Sequence, residues 1–462
     1  MISKKSKLLR IRANWIVPIA SAPIQSGEIV IENGVILEVR QSHSKADDAL
    51  DFGNAVILPG LVNVHTHLDY TVMRGLIEDV EFFPWIRELT ARKAAITQEE
   101  WEASALVGGA EALAAGVTTI GDCCDSGAVP GAAVKLGLRA IVYQEVFGID
   151  ELRSVDAILE ELAAKVNNLK GITAGSLVEI GVSPHSPYTV RPALMRSLAS
   201  YARTEGLKLC IHASESQAEG ALIRSGTGPI AEMYDRRGIQ WDVPGSGTAS
   251  YLGSLGILGK NTLLVHGVQL GAEERDVVNR SGAAWAHCPK SNAKLGNGVA
   301  DISMLGFKSA NAEQPGTPVG IGSDSVASNN TIDLFEEMRF AVLLQRAARR
   351  KIAAMTAQDA LEMATIGGAR ALGLDSLVGS LEVGKRADLC VVSLKDRRLA
   401  PAYDPVSALV YSASASDVVM TFVDGAERYS KDNLDHFPGV DIGCANNVMD
   451  HAAVRMRTWA PT

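Results

Sequence analysis

Leu58-Pro59-Gly60-Leu61-Val62-Asn63-Val64-His65-Thr66-His67 decides how the rest of the chain is read. A short apolar run of this kind reads as a buried β-strand, and alternation along an extended chain points the two histidines the same way. Two neutral imidazoles on one face can hold a divalent cation but leave it short of ligands. The remaining ligands are expected from residues distant in sequence, at the ends of other strands.

Outward from that stretch, between residues 58 and 375, short apolar runs alternate with helical segments, the pattern of parallel β/α units. The runs that read as strands are Leu58 to Val64, Val117 to Gly121, Ala140 to Val146, Val178 to Val182, Leu207 to Ile211, Thr262 to Val265, Ala283 to Ala286 and Val319 to Gly322. They predict an α/β fold, a TIM-type (β/α)8 barrel whose chemistry sits where the strands end. Gln98 to Ala115 reads as an amphipathic helix, and Thr331 to Lys351 as another with an Asn/Thr cap. In residues 1–57, β-branched runs flank the turn pair Asn33-Gly34, which predicts a hairpin. A matching pattern returns at Leu389 to Val392 and Val418 to Val423, followed by Asp424-Gly425. The two ends, 1–57 and 376–430, are therefore expected to pack together as one small β-sandwich. Residues 431–462 read as a polar tail with a short helix near Asp450 to Arg457.

At 462 residues, with 47% hydrophobic and 21% charged side chains, the chain can bury a large core. A formal net charge of -9 argues against a nucleic-acid partner. No window reaches the roughly 20 apolar residues of a membrane span. The basic start, Met1 to Arg12, lacks the apolar stretch and cleavage site of a secretory signal. These features predict a cytoplasmic protein acting on a small molecule, with a homodimer left open. The six cysteines contain no Cys-x-x-Cys pair and read as reduced, mostly buried small hydrophobes.

The strand ends carry the chemistry. They hold His65 and His67, then Ser183-Pro184-His185, His212-Ala213-Ser214-Glu215, His266, His287-Cys288-Pro289 and Ser323-Asp324; six of the nine histidines stand there, which scattered placement would not produce.

These motifs resemble the amidohydrolase superfamily, in particular its branch of purine, pyrimidine and triazine deaminases and chlorohydrolases. The resemblance rests on Pro-Gly-Leu-Val-Asn-Val-His-Thr-His at 59–67, Pro-His-Ser-Pro-Tyr-Thr at 184–189, His-Ala-Ser-Glu at 212–215 and Val-His-Gly at 265–267. It continues in His-Cys-Pro-Lys-Ser-Asn at 287–292, Gly-Ser-Asp-Ser at 322–325 and Gly-Ser-Leu-Glu-Val-Gly-Lys-Arg-Ala-Asp-Leu at 379–389. It implies one divalent ion held by His65, His67, His212 and Asp324, with Zn2+ expected and Fe2+ as the alternative. It further implies Glu215 as the proton carrier, Asp324 as a base, and His266 as the group that holds the attacking water.

The same resemblance points to the substrate. His185 is similar to the histidine with which adenosine-type deaminases touch theirs. The stretches 212–229, Gln144 to Gly148 with Glu145, and 323–329 look most like the aminodeoxyfutalosine deaminases of menaquinone synthesis, then the deaminases of S-adenosylhomocysteine and methylthioadenosine. The latter hold the ribose hydroxyls with a glutamate after a tryptophan-bearing helix. This chain has Arg87, Arg92 and Lys93 in the corresponding stretch, which suits an anionic substrate tail bound by Arg87 or Arg92. Asp69 departs from the glutamate or apolar residue common in the resembling enzymes and is counted with the substrate contacts.

Overall fold

The computed structural model describes residues 8–42, 49–150, 152–308, 316–433 and 436–458. The first seven residues of the basic start, and the tail beyond Thr458, lie outside them. Among the described residues no helix is long and apolar enough to cross a membrane.

Eight parallel strands form the barrel: Leu61–Thr66, Val117–Cys124, Arg139–Val146, Val178–Pro184, Leu209–Ala213, Thr262–His266, Ala284–His287 and Val319–Ile321, neighbours in that order. Every strand predicted for the barrel is present. The first and last meet through a parallel bridge between Thr66 and Asp324. Asp324 N donates to His65 O at 2.9 Å, and Asn63 fastens Ser323 through Ser323 N→Oδ1 at 3.0 Å and Nδ2→Ser323 Oγ at 2.7 Å. Closure of the barrel therefore carries the aspartate to the two leading histidines.

The predicted strand Leu58 to Val64 is divided at Gly60. Ala55–Pro59 belongs to a second sheet and Leu61–Thr66 to the barrel. Thr118 packs against Gly60 so closely that a Cβ there would stand 2.2 Å from its side chain. The chain thus changes sheets at the one residue able to pass this contact. Ala55–Pro59 runs parallel to Leu8–Ile16 and antiparallel to Leu389–Ser393, so it splices the two chain ends into one sheet. The hairpin of Ile24–Glu32 and Val35–Gln41 turns at Asn33 and Gly34, both left-handed. That of Val418–Val423 and Ala426–Ser430 turns at Asp424 and Gly425 in the same way. This second sheet curls on itself: Ile36 N reaches Lys385 O and Ala387 N reaches Gly34 O, both at 2.9 Å. Its inner face is a separate core of Ile11, Ile29, Ile31, Ile57, Leu389 and Phe422.

Helix Gln98–Ala114 begins at the capping box of Thr97 and Glu100. The helix expected from Thr331 starts instead at Leu334, because Asp333 caps it by accepting from Phe335 N and Glu336 N. The tail helix is longer than predicted, Ile442–Thr458, and packs on Gln98–Ala114 with Ala452 and Met456 buried.

Candidate active site

Three residues just past or ending barrel strands have left-handed backbones: Ser214 at φ 54°, His266 at 78° and Asp324 at 60°. Such conformations cost non-glycine residues on the order of 1–3 kcal/mol each and persist where the surroundings fix them. Here each turn aims a polar group at the barrel mouth.

The rings of His67 and His212 have centroids 5.0 Å from that of His65, and the ring of His266 lies at 5.9 Å. Asp324 Oδ1 stands 3.5 Å from His65 Nε2 and 3.6 Å from His67 Nε2. These separations are too long for good hydrogen bonds, and His65 Nε2, although buried, has no hydrogen-bond partner. They do match two ligands of one tetrahedral ion, whose donor atoms at 2.0–2.2 Å from the metal lie about 3.4 Å apart. Neighbours fix the ligands from behind. His212 Nδ1 bonds His185 O at 2.8 Å, leaving Nε2 for the mouth. Asp324 Oδ2 accepts from Ser291 Oγ at 2.6 Å and Ser328 Oγ at 3.1 Å, so Oδ1 is the oxygen turned to His65 and His67. The donor set thus fits a divalent cation such as zinc. His65, His212 and His266 also bring their nitrogens within 4.8 Å of one another, so His266 stands at the edge of the same centre. Its Nδ1 is held by Asn292 Oδ1 at 2.9 Å.

Electrostatics favour the neutral, metal-binding form of three of these imidazoles. Burial lowers His67 to about 3 and His266 to about 4, and drives His212 well below the usual histidine range, which keeps these imidazoles neutral. Burial opposes charge on His65 too, but the Asp324 carboxylate outweighs it and raises that ring to about 10. Burial likewise disfavours the Asp324 carboxylate, and His65 more than compensates, bringing it well below the usual range. The pair is an ion pair whose proton a divalent cation would displace. Glu215 is different. Burial first, and then the charges of Asp324 and Glu219, push its carboxyl well above the ordinary range, so it carries a proton. Asn297 Nδ2 donates to its Oε1 at 3.2 Å. Glu219 anchors the turn by accepting from the backbone nitrogens of Ser214 at 2.7 Å and Glu215 at 3.1 Å.

Above the centre opens a cleft of about 870 Å3 roofed by helix Phe82–Lys93. His67, His212, Glu215, His266 and Asp324 form its floor, and His185 and Glu145 its wall. His185 Nδ1 bonds Thr189 Oγ1 at 2.9 Å, and its ring lies 4.5 Å from that of Phe147. Glu145 Oε1 is buried without a hydrogen-bond partner among the described residues, and burial holds its carboxyl well above the ordinary range. Arg87 lines the exposed mouth.

Two expected substrate contacts do not reach the cleft. Arg92 is committed to Glu88 Oε1 and, at 2.7 Å, to Met456 O of the tail helix. Asp69 is buried below the wall, where Ser126 Oγ donates to its Oδ2 at 2.7 Å. The neighbouring cation, Lys93, does reach the cleft. It lines the cleft, pairs with Asp125 Oδ2 at 2.6 Å and lies 4.9 Å from the centre of the Tyr70 ring. Helical spacing carried that signal, since counting back by four reaches Leu89 and then Trp85 on the buried face. Asn292 closes the quoted motif at 287–292 without a role being legible there, and Asn297 has no sequence signal, because both roles depend on how the helix Pro289–Lys294 and the residues after it pack against His266 and Glu215.

Residues 56–427 match the Amidohydrolase family. The chain is 33% identical over 426 residues to a 5-methylthioadenosine/S-adenosylhomocysteine deaminase of Desulforudis audaxviator, covering 90% of this chain and 92% of that one. It is 32% identical to a 5′-deoxyadenosine deaminase of Methanothermobacter thermautotrophicus, covering 87% and 89%. An adenosine deaminase structure from Xanthomonas campestris, with bound zinc, has a TM-score of 0.83 and 26% identity, covering 98% and 99%. With its sequence matched over most of its length and its histidines and aspartate gathered at the mouth of a parallel barrel, the chain belongs to the amidohydrolase family, as a hydrolytic enzyme acting on C–N bonds.

Proposed function

We propose that the protein is a metal-dependent deaminase that removes the exocyclic amino group of an adenine nucleoside with an anionic 5′ side, aminodeoxyfutalosine being the leading candidate. The observation that carries the reaction class is the buried carboxyl of Glu215 standing beside the group of His65, His67, His212 and Asp324. When bound there, a divalent ion such as Zn2+ supplies Lewis-acid activation, lowering the pKa of water from 15.7 to about 7. Glu215 gives its proton to the ring nitrogen next to the carbon under attack. That makes the carbon electrophilic and neutralises the charge that addition would leave on the ring, a contribution of about 10² to 10⁴ in rate. Asp324, steadied by Ser291 and Ser328 at Oδ2 and by Ser325 N at Oδ1, is the base that takes a proton from the attacking water. His266, oriented by Asn292, hydrogen-bonds that water. Asp324 passes the proton taken from water to the exocyclic amino group, the C–N bond breaks and ammonia leaves, and the proton of the new C–O–H returns to Glu215.

The finer reading draws on the relatives, which are named for adenine nucleosides altered at the 5′ position. It draws equally on a cleft far larger than an adenine, with Arg87 at its mouth. An arginine-to-carboxylate bond of about 1.5–3 kcal/mol corresponds to about one to two decades of kcat/KM. The test compares ammonia release from aminodeoxyfutalosine, adenosine and methylthioadenosine by wild type and Arg87→Ala. The variant is expected to lose about 10- to 100-fold on the anionic nucleoside only. Equal wild-type rates on all three, or equal losses on all three, would remove the anionic tail from the reading and leave deamination standing.

A further inference from the structure

Behind the metal ligands, the barrel interior is lined by sulfur. Cys123 lies near the end of strand Val117–Cys124, and Cys210 lies two residues before His212 on Leu209–Ala213, so alternation turns Cys210 to the same side as that histidine. Both thiols are fully buried. Cys123 Sγ is 3.9 Å from His65 Nδ1 and 3.8 Å from Ser183 Oγ. The two sulfurs and a His65 nitrogen all lie within 4.8 Å of one another. An ion bound by thiolates at 2.3 Å and an imidazole at 2.0–2.1 Å needs sulfur and nitrogen about 3.6 Å apart and the two sulfurs about 3.8 Å apart. Only a small inward movement separates the three groups from that geometry.

We propose that Cys123, Cys210 and Nδ1 of His65 form a second cation site, selective for thiophilic ions such as Cd2+ or Cu+, which competes with the first site for His65. Thiolates select soft cations over the harder ions that suit carboxylates and water. The competition follows from the imidazole itself. A neutral ring has one nitrogen free to accept and a proton on the other. When Nε2 is a ligand of the first site, Nδ1 carries the proton and faces the thiols. When a soft ion takes Nδ1, that proton moves to Nε2 and the first site loses a ligand. For Cd2+, two Cd–S bonds and one Cd–N bond form, two S–H bonds break, two protons go to solvent, and the first ion leaves as a free cation. No electron is transferred. The competition rests on the metal-centre reading given above, whereas the thiol site does not.

The test titrates Cd2+ into zinc-loaded, full-length protein in which the exposed Cys444 has been replaced by alanine. It follows the thiolate-to-cadmium absorption band in the ultraviolet and the zinc released to a chromophoric chelator. The expected result is a band of two-thiolate intensity that saturates at one cadmium per chain, with one zinc and two protons released. Cys123→Ala and Cys210→Ala should each remove half or more of the band, with Cys123→Ser and Cys210→Ser as volume-preserving replacements if circular dichroism shows an alanine variant unfolded. Zinc loss without a band would mean plain exchange at the first site and overturn the proposal. A band that survives both substitutions would overturn it as well. A band with zinc fully retained would remove His65 from the second site and with it the competition.

Discussion

Glu215 and Asp324 are carboxyls at the mouth of the same barrel, yet their surroundings drive them to opposite protonation states. Asp324 faces two imidazoles, which bring it well below the usual range; Glu215, with Asn297 as its side-chain hydrogen-bond donor among the described residues, is pushed well above it by burial. Glu215→Gln should therefore retain the bound metal and the fold while kcat falls about 100-fold or more. Metal analysis beside steady-state rates checks this, and a variant within a few fold of wild type would move proton transfer to another group. Two other buried acids set a pH dependence of stability. Burial raises Glu219 from 4.5 to about 7 and Glu337 from 4.5 to about 8. The folded state binds these protons more tightly than the unfolded chain, so the stabilisation is complete below about 4.5 and is lost as pH rises through about 7 and 8. Melting temperature should accordingly fall between about pH 5 and pH 8, and Glu337→Gln should flatten the upper part of that fall. Much of the site was legible residue by residue, because a ligand histidine must stand at a strand end to reach the mouth. Arg92 and Lys93 show the limit. Adjacent on one helix, they differ by about 100° in direction, and the tail helix that claims Arg92 lies more than 300 positions away in sequence.

Barrel and second sheet are joined by more than apolar contact. Arg139, opening the third barrel strand, holds Asp388 through Nε–Oδ2 at 2.9 Å and Nη2–Oδ1 at 3.0 Å, with both residues buried. Asp388 Oδ1 also accepts from Asp424 N at 2.9 Å, which ties in the turn between the last two strands of the second sheet. Removing Asp388 takes both short bonds from the buried Arg139 guanidinium and leaves it the longer contact with Asp424 Oδ1 at 3.5 Å, too weak to offset its burial. Asp388→Ala should cost about 3–5 kcal/mol in denaturant unfolding; a loss under about 1 kcal/mol would show that the sheets are held by packing alone. At this scale the hairpins were readable from Asn33-Gly34 and Asp424-Gly425, whose turn chemistry is local. The division of Leu58 to Val64 was not, because both halves are equally apolar. Only the contact of Gly60 with Thr118, from the next barrel strand, separates them.

Across the whole molecule, the period of short apolar runs sufficed for the barrel, since parallel strands buried on both faces leave little else to read. The curl of the second sheet required contacts between residues near 36 and 385, which no local pattern encodes. A barrel of this size draws its stability from its core and not from one ion, in contrast to a small zinc domain. In the reading proposed above, this barrel deaminates by virtue of a cation held by His65, His67, His212 and Asp324. The most direct measurement is ammonia release from an adenine nucleoside by chelator-stripped protein as Zn2+ is added back, with bound metal and circular dichroism recorded at each step. The expected result is a folded, inactive protein whose rate rises in proportion to bound zinc and levels off at one ion per chain. Undiminished ammonia release from the stripped protein, or none from any adenine nucleoside with one zinc bound, would contradict it.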